Sequence, residues 1–153
     1  MSSGFYNNDF KLNGVSYSLE SLLSTAKAVH YNLFEFLKEW TDKSSAITLQ
    51  TSGSTGLPKK LQMSKSKMIL SAQRTGAFLN LQTGDKALCC LPLDYIGGKM
   101  MVIRALVLGL DLYLTTPSKN PLKTFSIKFD FVAFTPYQLE HSIDHLSKVK
   151  TLL

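Results

Sequence analysis

LQTSGSTGLPKK, residues 49–60, packs glycines, hydroxyl side chains, a proline and two lysines directly behind the alternating run AITLQT. Such a stretch can turn a chain tightly and present N–H, O–H and ammonium groups to an anion. Two common phosphate-loop patterns can be tested on it. The pattern G-x-x-x-x-G-K-S/T begun at Gly53 needs glycine at position 58, where the chain has Pro58, and a hydroxyl after Lys59, where it has Lys60. The dinucleotide pattern G-x-G-x-x-G needs glycine at position 55, which is Thr55. Both patterns fail on residues they require.

From Thr51 to Lys59 the stretch fits Ser/Thr-Ser-Gly-Ser/Thr-Thr-Gly-x-Pro-Lys at every position. It thereby resembles the phosphate loop of the adenylate-forming (acyl-CoA synthetase/AMP-binding) superfamily. The resemblance implies that Thr51, Ser52, Gly53, Ser54, Thr55, Gly56 and Lys59 hold the phosphates of ATP and stabilise charge as pyrophosphate leaves. A second likeness lies in LPLDYIGGKMMVIRALVLG, residues 91–109, with Tyr95 where the family usually has histidine and Asp94 where it has an aromatic. In the family this segment helps to line the pocket for the carboxylic acid, which makes Tyr95, Gly97, Gly98 and Lys99 candidates for acid binding. A third likeness is FVAFTPYQLEHSI, residues 131–143, carried by Pro136 and Gln138.

The short lead before the loop, with FLKEW, and the PLDYIGGKMMVIRALVLG segment most resemble the o-succinylbenzoate–CoA ligase branch, which serves menaquinone biosynthesis. That branch implies a carboxylate attacking Mg·ATP to give an acyl-adenylate, followed by transfer to CoA. ATP, Mg²⁺ and CoA are the implied cofactors and co-substrates. The Y-G-x-T-E segment of the family has no counterpart, and no lysine after Lys99 sits in the family's catalytic context. Thr83-Gly84-Asp85 imitates a ribose-binding triplet but precedes the LPL strand, so Asp85 reads as a turn residue.

Residues 1–153 are therefore expected to be a partial N-terminal AMP-binding domain, without turnover alone, that self-associates through an incomplete sheet edge. No protein catalytic residue and no metal ligand is assigned. Two alternatives stand beside this reading: a synthetase for another acyl or aryl acid, and a non-catalytic nucleotide-binding module.

Outward from the loop, the pattern predicts an α/β fold with a largely parallel sheet flanked by helices. FKLNGVSY, residues 10–17, predicts a hairpin turning at Asn13-Gly14. From Leu19 to Trp40 the apolar residues keep a helical period, with a break near His30–Asn32. AITLQT and residues 60–63 predict strands on either side of the loop, and Ser64 predicts the N-cap of a helix to about Asn80. After the turn at Gly84, a strand over 87–93, a helix from Gly98 to Leu108 ended by Gly109, and strands over 111–116 and 129–135 follow. Pro136 opens a helix to about Ser147, and KVKTLL reads as the start of another strand.

Composition agrees with a globular chain: 44% of its 153 residues are hydrophobic and 18% charged. The longest apolar run, Met100–Leu110, is short and interrupted by Arg104, so it cannot span a bilayer. The N-terminus lacks the order of a secretion signal, and the cytoplasm is the expected location. Net charge is +6, and seven cations fall between Lys59 and Lys99, which suits a polyphosphate ligand and a solvated basic face equally. No nucleic-acid-binding signature is present, and none is expected as a partner. Cys89 and Cys90 are adjacent in ALCCLPL and read as small buried hydrophobes. His141 and His145 are helix-spaced but lack an evident third ligand, so a zinc site is not expected.

Overall fold

The computed structural model describes residues 5–51 and 59–153; the side chains of residues 50, 51, 59 and 60 lie outside that description. The predicted hairpin is present as β1 (Lys11–Leu12) and β2 (Val15–Ser16). Asn13 and Gly14 turn it with φ of 52° and 81°, the left-handed pair that such a two-residue turn demands. Asp111 fixes the turn in place, its Oδ1 accepting from the Gly14 N–H at 2.8 Å.

The predicted break divides the next segment into α1 (Leu19–Val29) and α2 (Tyr31–Thr41), with His30 between them at φ −141°. Ser18 caps α1 by accepting from the Ser21 N–H. β3 (Ala46–Thr51) and β4 (Lys59–Ser64) follow, then α3 (Lys65–Phe78). Ser64 stands at the predicted N-cap, yet its side chain does not cap. Its Oγ lies 2.7 Å from Ser66 Oγ, and the Lys65 N–H donates to the Ser45 carbonyl instead.

β5 is shorter than expected, Lys86–Cys89. The next carbonyl, that of Cys90, is taken by Gln138 Nε2 at 3.1 Å rather than by a strand, and Pro92 offers no N–H to a ladder. α4 (Ile96–Leu108) begins two residues before the predicted Gly98 and ends on the left-handed Gly109. β6 (Asp111–Leu114) and β7 (Phe129–Val132) also stop short of the predicted ends. The predicted last helix divides into α5 (Pro136–His141) and a 3-10 helix at Ile143–Lys148. Its tighter turns lead directly into β8 (Val149–Leu152).

Six strands form one sheet in the order β2-β1-β6-β5-β7-β8, parallel at every pairing except the β1–β2 hairpin. β3 and β4 stand apart as an antiparallel ribbon, a separation that strand periodicity alone does not announce. Ala87 and Cys89 of β5 point into the larger core with α1 to α4. Leu88 and Cys90 point to the opposite face, where the irregular 115–128 connection supplies Leu122 and Phe125 instead of a helix. Tyr113, Phe125 and Phe129 close that face edge to face, with centroids 5.1 to 6.5 Å apart. Both cysteines are free and buried, and burial pushes their thiols up to about 11 and about 12.

Candidate functional site

The ribbon positions the decisive motif. β3 and β4 pair from Ala46↔Ser64 to Thr51↔Lys59, so the two ends of the motif face each other across the last rung. Ser52, Gly53, Ser54, Thr55 and Gly56 lie outside the described residues. Ile47 and Leu49 bury one face of the ribbon at 1% and 3% exposure. At its base, Lys65 is buried and its Nζ donates to Asp42 Oδ1 at 2.6 Å and to the Asp42 carbonyl at 3.1 Å. That bond, with the Ser44 N–H, holds the Asp42 carboxyl below the ordinary carboxylate range.

The candidate acid-binding residues begin α4, where they do different work. A Cβ on Gly98 would lie 2.3 Å from the Pro92 carbonyl oxygen, so this glycine lets the helix start against the end of the β5 segment. Tyr95 is half exposed. Of the four candidates, Lys99 alone lines either of two neighbouring clefts among the described residues, an open space of about 550 Å³. Glu35, Glu39 and Asp94 line that cleft as well, so three carboxylates meet one ammonium, which disfavours an acid there. The neighbouring cleft, about 640 Å³, shares Asn32, Leu93 and Asp94 with it and reaches His30 and Thr115.

Two residues carry more than their sequence context suggests. Gln138 accepts from the Thr135 N–H through Oε1 and donates through Nε2 to the carbonyls of Cys90 and Ser118, tying β5, α5 and the connection between β6 and β7 together. Arg104 stands in the sequence only as a break in an apolar run. Its guanidinium lies 5.9 Å from the Phe131 ring centroid, and its buried Nε has no hydrogen-bond partner. Burial lowers its pKa from the ordinary value. A lone cation inside an apolar run is the one signal the sequence offers for it. Asp85 behaves as the expected turn residue, its Oδ2 accepting from the Gln82 N–H at 2.8 Å. Among the described residues no group of three metal-binding side chains exists, and no helix is long and apolar enough to cross a membrane.

The described residues thus form a largely parallel sheet and a separate antiparallel ribbon whose last rung, Thr51↔Lys59, brackets the motif. The family model "AMP-binding enzyme" matches residues 12–151, and the chain belongs to that family. It is 32% identical over 101 residues to the 2-succinylbenzoate–CoA ligase of Listeria monocytogenes, covering 66% of this chain and 20% of that protein. The chain thus spans about a fifth of the length of the curated relatives it matches. Among solved structures, it is 35% identical, with a TM-score of 0.71, to an acyl-CoA synthetase (AMP-forming)/AMP-acid ligase II-like protein from Dyadobacter fermentans, covering 79% of this chain and 37% of that one. E. coli MenE with bound OSB-AMS shares the fold at 24% identity and a TM-score of 0.58, over 69% of this chain and 24% of that one.

Proposed function

We propose that this chain is the phosphate-loop portion of an ATP-dependent acid–CoA ligase whose acid is 2-succinylbenzoate, in menaquinone biosynthesis in the cytoplasm. The observation that carries the reading is the nine-position motif on a β3–β4 ribbon beside a parallel sheet in a member of this family. A carboxylate of the acid would attack the α-phosphate of ATP, giving acyl-adenylate and pyrophosphate; CoA thiol would then displace AMP. Thr51 to Lys59 would hold the β- and γ-phosphates. The nucleotide would enter as Mg·ATP. By the same reading the chain alone has no turnover, because the sequence carries no counterpart of the family's Y-G-x-T-E segment or of its catalytic lysine.

2-Succinylbenzoate carries two carboxylates, and only one is activated. The other needs a cation. Lys99 is already engaged by Glu39 at 3.4 Å. Tyr95 and Gly97 stay candidates for contact with the acid.

The test is thioester formation by the full-length protein against a panel of carboxylic acids. Preference for 2-succinylbenzoate is expected. Preference for a fatty or aryl monoacid would overturn the substrate, and acid-dependent ATP–pyrophosphate exchange by these 153 residues would overturn the inactivity.

A further inference from the structure

Thr48 stands in the middle of β3, opposite Gln62 of β4. Its N–H donates to Glu39 Oε1 at 3.0 Å, and its carbonyl accepts from Lys99 Nζ at 3.4 Å. Both main-chain groups are thus taken by side chains on the edge away from β4, as a neighbouring strand would take them. The two side chains also hold each other: Glu39 Oε2 lies 3.4 Å from Lys99 Nζ. Glu39 comes from α2, Lys99 from α4 and Thr48 from the ribbon, so one pair joins three elements. The Lys99 side chain is 11% exposed and that of Glu39 33%, and the ammonium lies 5.7 Å from the Phe36 ring centroid. The contact is therefore screened less than a surface pair would be.

We propose that Glu39 and Lys99 form a positioning clamp that stands in for an edge strand and sets the register of the ribbon. One acceptor and one donor, held side by side, match a strand residue whose N–H and C=O both face outward. In an antiparallel pair only every second residue presents them so. A one-residue slip would offer Ile47 or Leu49 to the clamp and turn their buried side chains to the opposite face. The clamp therefore fixes Thr51 and Lys59, the strand ends between which the phosphate motif runs. Neither Glu39 nor Lys99 has to touch the nucleotide. The effect on binding rests on the phosphate-loop reading; the effect on the ribbon does not.

The experiment measures magnesium pyrophosphate binding by calorimetry and hydrogen exchange at the Thr48 amide, both well below the melting temperature. Glu39→Ala and Lys99→Met are expected to weaken binding about ten-fold, the scale of misplaced binding groups. Glu39→Gln keeps the acceptor for Thr48 and is expected to return most of the affinity. Glu39→Ala should also speed Thr48 exchange at least about ten-fold, with Glu39→Gln close to the parent protein. A merely structural contact would lower the melting temperature and leave the affinity of the folded protein unchanged, and that result overturns the clamp. Should the parent chain bind no pyrophosphate, the phosphate-loop reading fails; the clamp is then decided by exchange alone, with unchanged Thr48 protection in Glu39→Ala overturning it. If Glu39→Ala does not fold, the comparison of Lys99→Met with Glu39→Gln decides the same question.

Discussion

The six-stranded sheet and the β3–β4 ribbon are built from the same chain on different physical terms. In the sheet, strand after strand is sealed by apolar burial: Leu88 and Leu112 are wholly buried, and parallel neighbours satisfy the backbone. The ribbon has only two strands, which alone are marginal in water. Ile47 and Leu49 anchor one face, but its base and free edge are fastened by charge, through Lys65–Asp42 and Glu39–Lys99. The sheet should therefore respond chiefly to volume, and the ribbon to charge and pH. Leu112→Ala sharpens this contrast most. Removing a wholly buried leucine between β1 and β5 should cost about 2–5 kcal/mol in chemical denaturation, and a loss below about 1 kcal/mol would break the distinction.

Two glycines in the helices beside the sheet test how closely its packing is set. A Cβ at Gly98 meets the Pro92 carbonyl oxygen at 2.3 Å, and that backbone cannot move without shifting the end of the β5 segment. A Cβ at Gly76 meets Leu108 Cδ1 at 2.7 Å, the far end of a side chain that can turn away. Gly98→Ala should thus destabilise by about 1–3 kcal/mol or more. For Gly76→Ala the helix-propensity gain of about 0.5–1 kcal/mol offsets much of the strain, leaving a change near zero in thermal unfolding. Equal effects at both positions would mean that α4 is free to shift against the sheet.

Local rules made most of the elements legible. Asn13-Gly14, the break at His30, Gly109 and Pro136 each act through backbone geometry that one or two residues determine. The motif at Thr51 to Lys59 identified the family because position-by-position spacing is more selective than glycine content. What was not legible depends on residues distant in the chain. β5 ends early because Gln138, 48 residues away, takes the Cys90 carbonyl. The separation of the ribbon from the sheet follows from which edges meet, and alternation within a strand carries no record of that. The sequence around Lys99 resembles a substrate pocket and carries no sign of its partners in space, Glu39 and Thr48.

The base of the ribbon provides the expected effect most specific to charge. Asp42 titrates below its ordinary value of 3.8, first because Lys65 donates to its carboxylate and then because the Ser44 N–H does. A carboxyl whose folded pKa is depressed contributes stability that is complete above its unfolded value and is lost as pH falls through the folded one. Asp42→Asn removes that contribution. The difference in unfolding free energy between the parent protein and this variant should hold steady from neutral pH down to about pH 5, then shrink as pH falls below the ordinary carboxylate value and through the depressed folded one. Leu112→Ala provides the control, because a lost methyl volume carries no proton: its difference from the parent should stay level over the same range. A gap already near zero at neutral pH would mean that Lys65 holds the ribbon through the Asp42 main-chain carbonyl, 3.1 Å away and kept in the variant, rather than through the ion pair.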